Sequence, residues 1–215
     1  MYNAKPLPAA FVERYQNWYG ADFPQKQNLL KKLADEGQFP KGMIISCCDS
    51  RYNTTSLLQA EEGEFFVHRN IANFVPAFDE ASDNHGTAAA LEYAVKHLKV
   101  AHILVVGHAL CGGVQGCYNI CSGKDTSLKD DGGSVGKWVQ MIKPAFDKLA
   151  GTDKADDLRA LEKQAVLYSL DNLMSFDFVR AAVEEGRLAL HGLWHDIGVG
   201  ALYQFNPETA AFEKL

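Results

Sequence analysis

Two short runs of this chain concentrate groups able to do chemistry. The first, Cys47-Cys48-Asp49-Ser50-Arg51, packs two thiols, a carboxylate and a guanidinium into consecutive positions; the second, His108-Ala109-Leu110-Cys111, sets an imidazole and a thiol three apart. Thiolates with an imidazole make a donor set that zinc favours, and three protein ligands leave one tetrahedral position open for reaction. If the chain stays extended through the first run, Cys47, Asp49 and Arg51 share one face, and Cys48 and Ser50 the other. Only one thiol can then join the acid and the base. The alternation does not choose between the faces, but Cys47, Asp49 and Arg51 are the chemically complete set. Taken singly, a cysteine ending a strand or an H-x-x-C pair is commonplace. Their joint occurrence at two strand ends of one sheet points to a metal.

Other chemistries fit the same residues less well. A cysteine phosphatase needs its arginine six positions after the nucleophile, whereas Arg51 follows Cys47 by four and Cys48 by three. No C-x-x-C pair supplies a thioredoxin-like couple. Cys117 and Cys121 lie one helical turn apart and read as small apolar residues on a helix face. His191 and His195, four apart in a strand-like segment without a partnering glutamate, read as structural or surface histidines.

The elements that must position these groups follow from hydrophobic period. Residues 8–36 have helical spacing, with Phe11, Tyr15 and Trp18 on one stripe and Leu29, Leu30 and Leu33 on another. Residues 42–47 and 102–107 are short apolar runs typical of buried strands, with 65–67, 188–194 and 200–205 as further strands. Helices are expected over 86–99, 111–121, 134–150 and 153–185, and a polar loop over 124–133. Apolar strands alternating with helices predict an α/β fold: a central, largely parallel β-sheet flanked by helices, preceded by an N-terminal helical arm. The expected organisation is one domain, 1–215, comprising an arm over 1–37 and an α/β core over 38–215. In such sheets sites gather at the carboxyl ends of strands, where both runs fall.

With 47% apolar residues and 22% charged, the 215-residue chain has the means to bury a core. A formal charge of −6 without a basic block excludes a general nucleic-acid binder. No segment has the uninterrupted apolar length of a membrane span, and the start lacks a secretory signal. Five cysteines, an odd number, suit a reducing compartment, and a cytoplasmic location is expected.

The pattern Cys-x-Asp-x-Arg followed by His-x-x-Cys resembles the β-class carbonic anhydrases. The similarity extends through residues 64–73 (EFFVHRNIAN), 90–95 and 107–113, and covers roughly 38–202. It implies an enzyme, a zinc-dependent lyase that reversibly hydrates CO2 to bicarbonate and a proton. One Zn2+ per subunit would be held by Cys47, His108 and Cys111, and zinc hydroxide would attack CO2. Asp49, restrained by Arg51, would orient that hydroxide without occupying its place. Gln38 stands nine positions before Cys47, and Ile44 stands where the bicarbonate-regulated type has tryptophan, so the chain resembles the plant-like type I. Phe66 and Tyr93 imply pocket walls, Gln38 and the Gly112 backbone N–H pocket donors, in a site formed between subunits of a homodimer or higher homo-oligomer. His97, one turn after Tyr93, is the candidate proton shuttle, an exposed solvating histidine being its alternative. Cys48 departs from the usual Ser or Ala, and His68 from Val. A CS2 or COS hydrolase on the same fold, or a non-catalytic zinc- or bicarbonate-binding protein, are the alternative readings.

Overall fold

The computed structural model describes residues 3–79 and 85–215, which fall into two units, Met1–Phe39 and Pro40–Leu215. The first unit is a pair of helices, α1 (Ala9–Ala21) and α2 (Phe23–Glu36), the second carrying a proline in its first turn, where no backbone N–H is needed. Neither helix has a buried residue within the chain. Their aromatic stripe is nonetheless organised: Tyr15 meets Trp18 and Tyr19, and Tyr19 stacks on Phe23.

The second unit is built on a six-stranded sheet in the order β2-β1-β3-β4-β5-β6. Strand β1 (Gly42–Cys47) is buried along its whole length, as a parallel strand covered on both faces must be. It lies between β2 (Phe65–Asn70) and β3 (His102–His108), both parallel to it. Strand β4 (Ala189–Asp196) adds in parallel to β3, and β5 (Ala201–Asn206) and β6 (Ala211–Lys214) complete an antiparallel edge. Alternation divides the core in two: Ile44 and Val106 face one apolar cluster, and Met43, Ile45, Ile103 and Val105 the other. The helices are α3 (Thr54–Leu57), α4 (His85–Glu92), α5 (Gly112–Ser122), α6 (Ser127–Asp130), α7 (Ser134–Gln140), α8 (Lys143–Asp147), α9 (Leu158–Leu173) and α10 (Asp177–Glu184). Helix α9 approaches β3 so closely that a Cβ on Gly107 would lie 2.6 Å from Val166. Among the described residues no helix is long and apolar enough to cross a membrane.

The expected helices are present but interrupted. The 134–150 segment divides into α7 and α8, where Pro144 in the first turn of α8 removes an N–H that a continuous helix would use. The 153–185 segment starts only at Leu158, where the Asp157 carboxylate caps the Arg159 N–H, and breaks after Leu173. There the Ser175 hydroxyl donates to the Asn172 carbonyl, competing with the helix ladder. The 86–99 helix ends as a π-helical turn, Tyr93–His97. The 124–133 loop contains α6, and β6 was not anticipated.

Candidate active site

Strand order reverses at β1: β2 adds on one side, β3 on the other. The crevice this opens lies beyond the carboxyl ends of β1 and β3, where Cys47 closes one strand and His108 the other. Cys111 caps α5 after a turn in which Leu110 takes a left-handed φ of 60°, a strained conformation of the kind that collects at functional sites. All three side chains are buried, and their donor atoms lie within 4.8 Å of one another.

The donor set fits a zinc ion by several independent features. Cys47 Sγ and Cys111 Sγ are 4.0 Å apart, close to the roughly 3.8 Å that two bonds of about 2.3 Å subtend at a tetrahedral centre. His108 Nδ1 is 2.9 Å from the Ala109 carbonyl. A proton there donates to that carbonyl and leaves Nε2 with its lone pair outward. Nε2 is fully buried and has no hydrogen-bond partner, an arrangement that costs energy unless a ligand fills it. Backbone N–H groups of Asp49 and Ala72 point at the Cys47 sulfur, and those of Gly113 and Val114 at the Cys111 sulfur. The hydrogen bond from Cys111 lowers the Cys47 thiol pKa, against its burial. Cys111 is pushed up correspondingly, by the neighbouring Cys47 first and by burial second.

Beyond Cys47 the strand ends. Asp49 and Arg51 therefore reach the cluster through a loop rather than by continued alternation. That loop is pinned by Arg69 of β2, whose guanidinium donates to the carbonyls of Cys47 (2.8 Å), Asp49 (2.8 Å) and Tyr52 (3.3 Å). Arg51 presents a fork to Asp49, Nε to Oδ1 at 2.9 Å and Nη2 to Oδ2 at 2.6 Å, and its backbone N–H also donates to Oδ1. These bonds hold the Asp49 carboxyl well below the usual carboxylate range. Arg51 Nη2 also donates to the Leu110 carbonyl at 2.8 Å, joining the two motifs. Asp49 Oδ2 is left 3.8 Å from His108 Nε2. Cys48 is exposed and lines the same cavity as Cys47 and Asp49, so it does not face away as alternation suggested. The cavity, of about 310 Å³, is completed by Ile71, Gly112, Gly113 and Val135. Glycine is required at 113, where a Cβ would lie 2.7 Å from Ile71.

Sequence reasoning missed four residues that support this cluster. Arg69 is one. Glu162 of α9 is another, 1% exposed: its Oε1 accepts the Cys111 N–H at 3.3 Å, its Oε2 accepts from Trp194 at 3.1 Å, and Arg159 bridges both oxygens. Its signal was available, a charged residue on the apolar stripe Leu158, Leu161, Ala165. Burial raises its carboxyl pKa against the pull of Arg159. Tyr52 lies against His108, accepts the Cys47 N–H and donates to the Val106 carbonyl. Its phenol is pushed up by burial. His195, read as structural or surface, is buried against Tyr52, and its carbonyl accepts the Ala109 N–H at 2.8 Å. Burial lowers its pKa.

The carbonic anhydrase family profile matches residues 42–202, a span that contains the whole cluster. The chain belongs to that family, in its β class. It is 35% identical over 183 residues to Beta carbonic anhydrase 3 of Arabidopsis thaliana, covering 83% of this chain and 69% of the relative. The structure of the β-carbonic anhydrase CcaA superposes with a TM-score of 0.85 at 26% identity, covering 96% of this chain and 98% of that one. A β-carbonic anhydrase of the ascomycete Sordaria macrospora, described as tetrameric, gives 0.78 at 33% identity, covering 92% and 95%.

Within this carbonic anhydrase chain, Phe66 and Tyr93 are not among the residues that line the cavity. Gln38 belongs to the first unit and is exposed. Phe66 pairs with Met43, four residues before the level at which Asn70 faces Cys47, roughly 13 Å down the sheet at about 3.3 Å per residue. The Phe66 and Tyr93 rings meet at 5.7 Å, and His97 stacks on Tyr93 at 5.4 Å. Both Tyr93 and His97 are exposed.

Proposed function

We propose that the chain reversibly hydrates CO2 to bicarbonate and a proton, using one zinc ion held by Cys47, His108 and Cys111. The observation that carries this reading is the convergence of three buried donors beside a carboxylate that its arginine holds back. Bound there, zinc supplies the Lewis acidity that activates water near neutral pH. Everything else is the work of the chain's own side-chain and backbone groups. Asp49, ionised throughout the working range, can only accept hydrogen bonds. Its Oδ2, the oxygen nearest the cluster, accepts a hydrogen bond from the attacking water and so orients it, without itself becoming protonated. Arg51, anchored on the Leu110 carbonyl, prevents that carboxylate from becoming a fourth ligand. Ile71 and Val135 supply apolar walls for a small linear substrate, and the Gly112 N–H in the first turn of α5 is free of the helix ladder by position and faces the developing anion.

Gln38, Phe66 and Tyr93 complete the pocket in this proposal, the aromatic pair reaching the cavity of a second chain in a homo-oligomer. The separation of that pair from Cys47 in one chain supports this, as does the tetrameric state given for the Sordaria relative. His97 on the exposed side of Tyr93 passes the proton to solvent. Five free thiols suit the cytoplasm.

Stopped-flow CO2 hydration by the zinc-loaded protein and its Cys47→Ser variant tests the assignment. Activity in the wild type that the substitution abolishes is the expected result. Activity surviving it, or a wild type that hydrolyses COS or CS2 and leaves CO2 untouched, overturns the proposal.

A further inference from the structure

At the opposite end of the sheet from the thiolate cluster, β3 and β4 bring together a second pair of imidazoles. His102 shares a face of β3 with Leu104, and the parallel register sets Leu104 against His191. The two histidines are therefore diagonal neighbours on one side of the sheet. His102 Nδ1 lies 3.1 Å from His191 Nε2, with ring centroids 5.2 Å apart. The pair opens into an apolar cavity of about 340 Å³ lined by Leu104, Leu193, Leu202 and Gln204. His102 precedes His108 by six residues, roughly 20 Å along the strand at about 3.3 Å per residue, so the cavity is separate from the active site.

Nothing in CO2 hydration uses this pair. Two nitrogens bonded to one ion at about 2.05 Å stand about 2.9 Å apart at a right angle and about 3.3 Å apart at the tetrahedral angle. The observed separation falls between these limits, on two rigid central strands. We propose that His102 and His191 chelate a divalent transition-metal ion of the Ni2+, Cu2+ or Zn2+ group, forming a second metal site. An all-imidazole set selects these ions over Ca2+ and Mg2+. His191 is disposed to be a neutral donor, since burial first and the neighbouring His102 second lower its pKa. The cation that also lines the cavity, Lys41, is committed to Glu64 at 3.1 Å. Two protein ligands leave the other coordination positions to water, so this site exchanges its ion readily.

The test is a calorimetric titration of the zinc-loaded protein with Ni2+, beside the variants His191→Asn and His102→Asn. Asparagine keeps a hydrogen-bonding side chain, and the thermal midpoint of each variant verifies that it is folded. The wild type takes up one Ni2+ per chain in a saturable step that each substitution abolishes. Crystals soaked in Ni2+ show an anomalous peak bonded to both ring nitrogens. An equal Ni2+ isotherm in wild type and variants, no saturable step in the wild type, or a peak bonded to only one of the two imidazoles overturns the proposal.

Discussion

Arg51 gives both prongs of its guanidinium to one carboxylate, and that pairing decides what Asp49 is able to do. An unpaired Asp49, anionic and 3.8 Å from His108 Nε2, is a competing ligand for any cation placed among the donors. Replacing Arg51 by Ala should therefore cut CO2 hydration by roughly a hundredfold or more, with Arg51→Lys intermediate because it keeps the charge and loses the fork. An unchanged stopped-flow rate in Arg51→Ala would show that the pair does not gate the site. The linkage has a definite sign. Asp49's pKa is lowered in the folded state by Arg51, so the pair's contribution to stability is fully present above the ordinary carboxylate value of about 3.9. It is lost as pH falls through the lower folded value. Behind the cluster, Glu162→Gln keeps an acceptor for the Cys111 N–H but leaves Arg159 without its counter-charge. Thermal unfolding should register a loss of roughly 2 kcal/mol or more, and a chelator should strip zinc faster. A variant as stable and as slow to lose zinc as the wild type would remove Glu162 from the supporting set. Cys48, exposed at the cavity edge, should tolerate alanine with little change in rate.

Elements differ in how plainly they were written in the chain. Gly42–Cys47 and His102–His108 could be read from period and composition alone, because central parallel strands must be apolar throughout. Their carboxyl ends carry the two motifs, so the position of the cluster was legible as well. The loop after Cys47 was not. Its course depends on Arg69 reaching from β2 to three carbonyls, a long-range contact that no local period encodes. Helix interruptions at Pro144 and Ser175 turn on single residues within otherwise continuous apolar patterns. The turn at Tyr93–His97 is π-helical, and insertions of this type are frequent at functional sites. It stacks His97 on Tyr93 on an exposed surface, which makes the shuttle testable. His97→Ala should slow turnover at low buffer concentration, and added imidazole should restore it. Loss of neither rate nor buffer dependence would assign the residue to solvation alone.

At the scale of the molecule, Phe66, proposed as a pocket wall, and Cys47, proposed as a metal donor, occupy different levels of the same sheet. Phe66 lies four register positions from the level of Cys47, a separation that no side-chain rotation closes. A second copy must supply the aromatic pair if it contacts CO2. The aromatic stripe on α1, with Phe11, Tyr15 and Tyr19 each more than half exposed, leaves apolar surface for such an association. Closed symmetric assemblies place the same two patches in contact twice, so each chain both lends and receives. Co-expression of Cys47→Ser and Tyr93→Ala chains exploits this. Each variant alone is expected to be nearly inactive, the first without a donor, the second without a wall. In a mixed dimer, one site joins an intact Cys47 to the intact Tyr93 of its neighbour, and the other site carries both lesions. Random pairing makes half the dimers mixed, so activity should return to roughly a quarter of the wild-type value. If the aromatics served the site of their own chain, no mixed dimer would contain an intact site. Co-expression would then yield no more activity than the two variants measured apart.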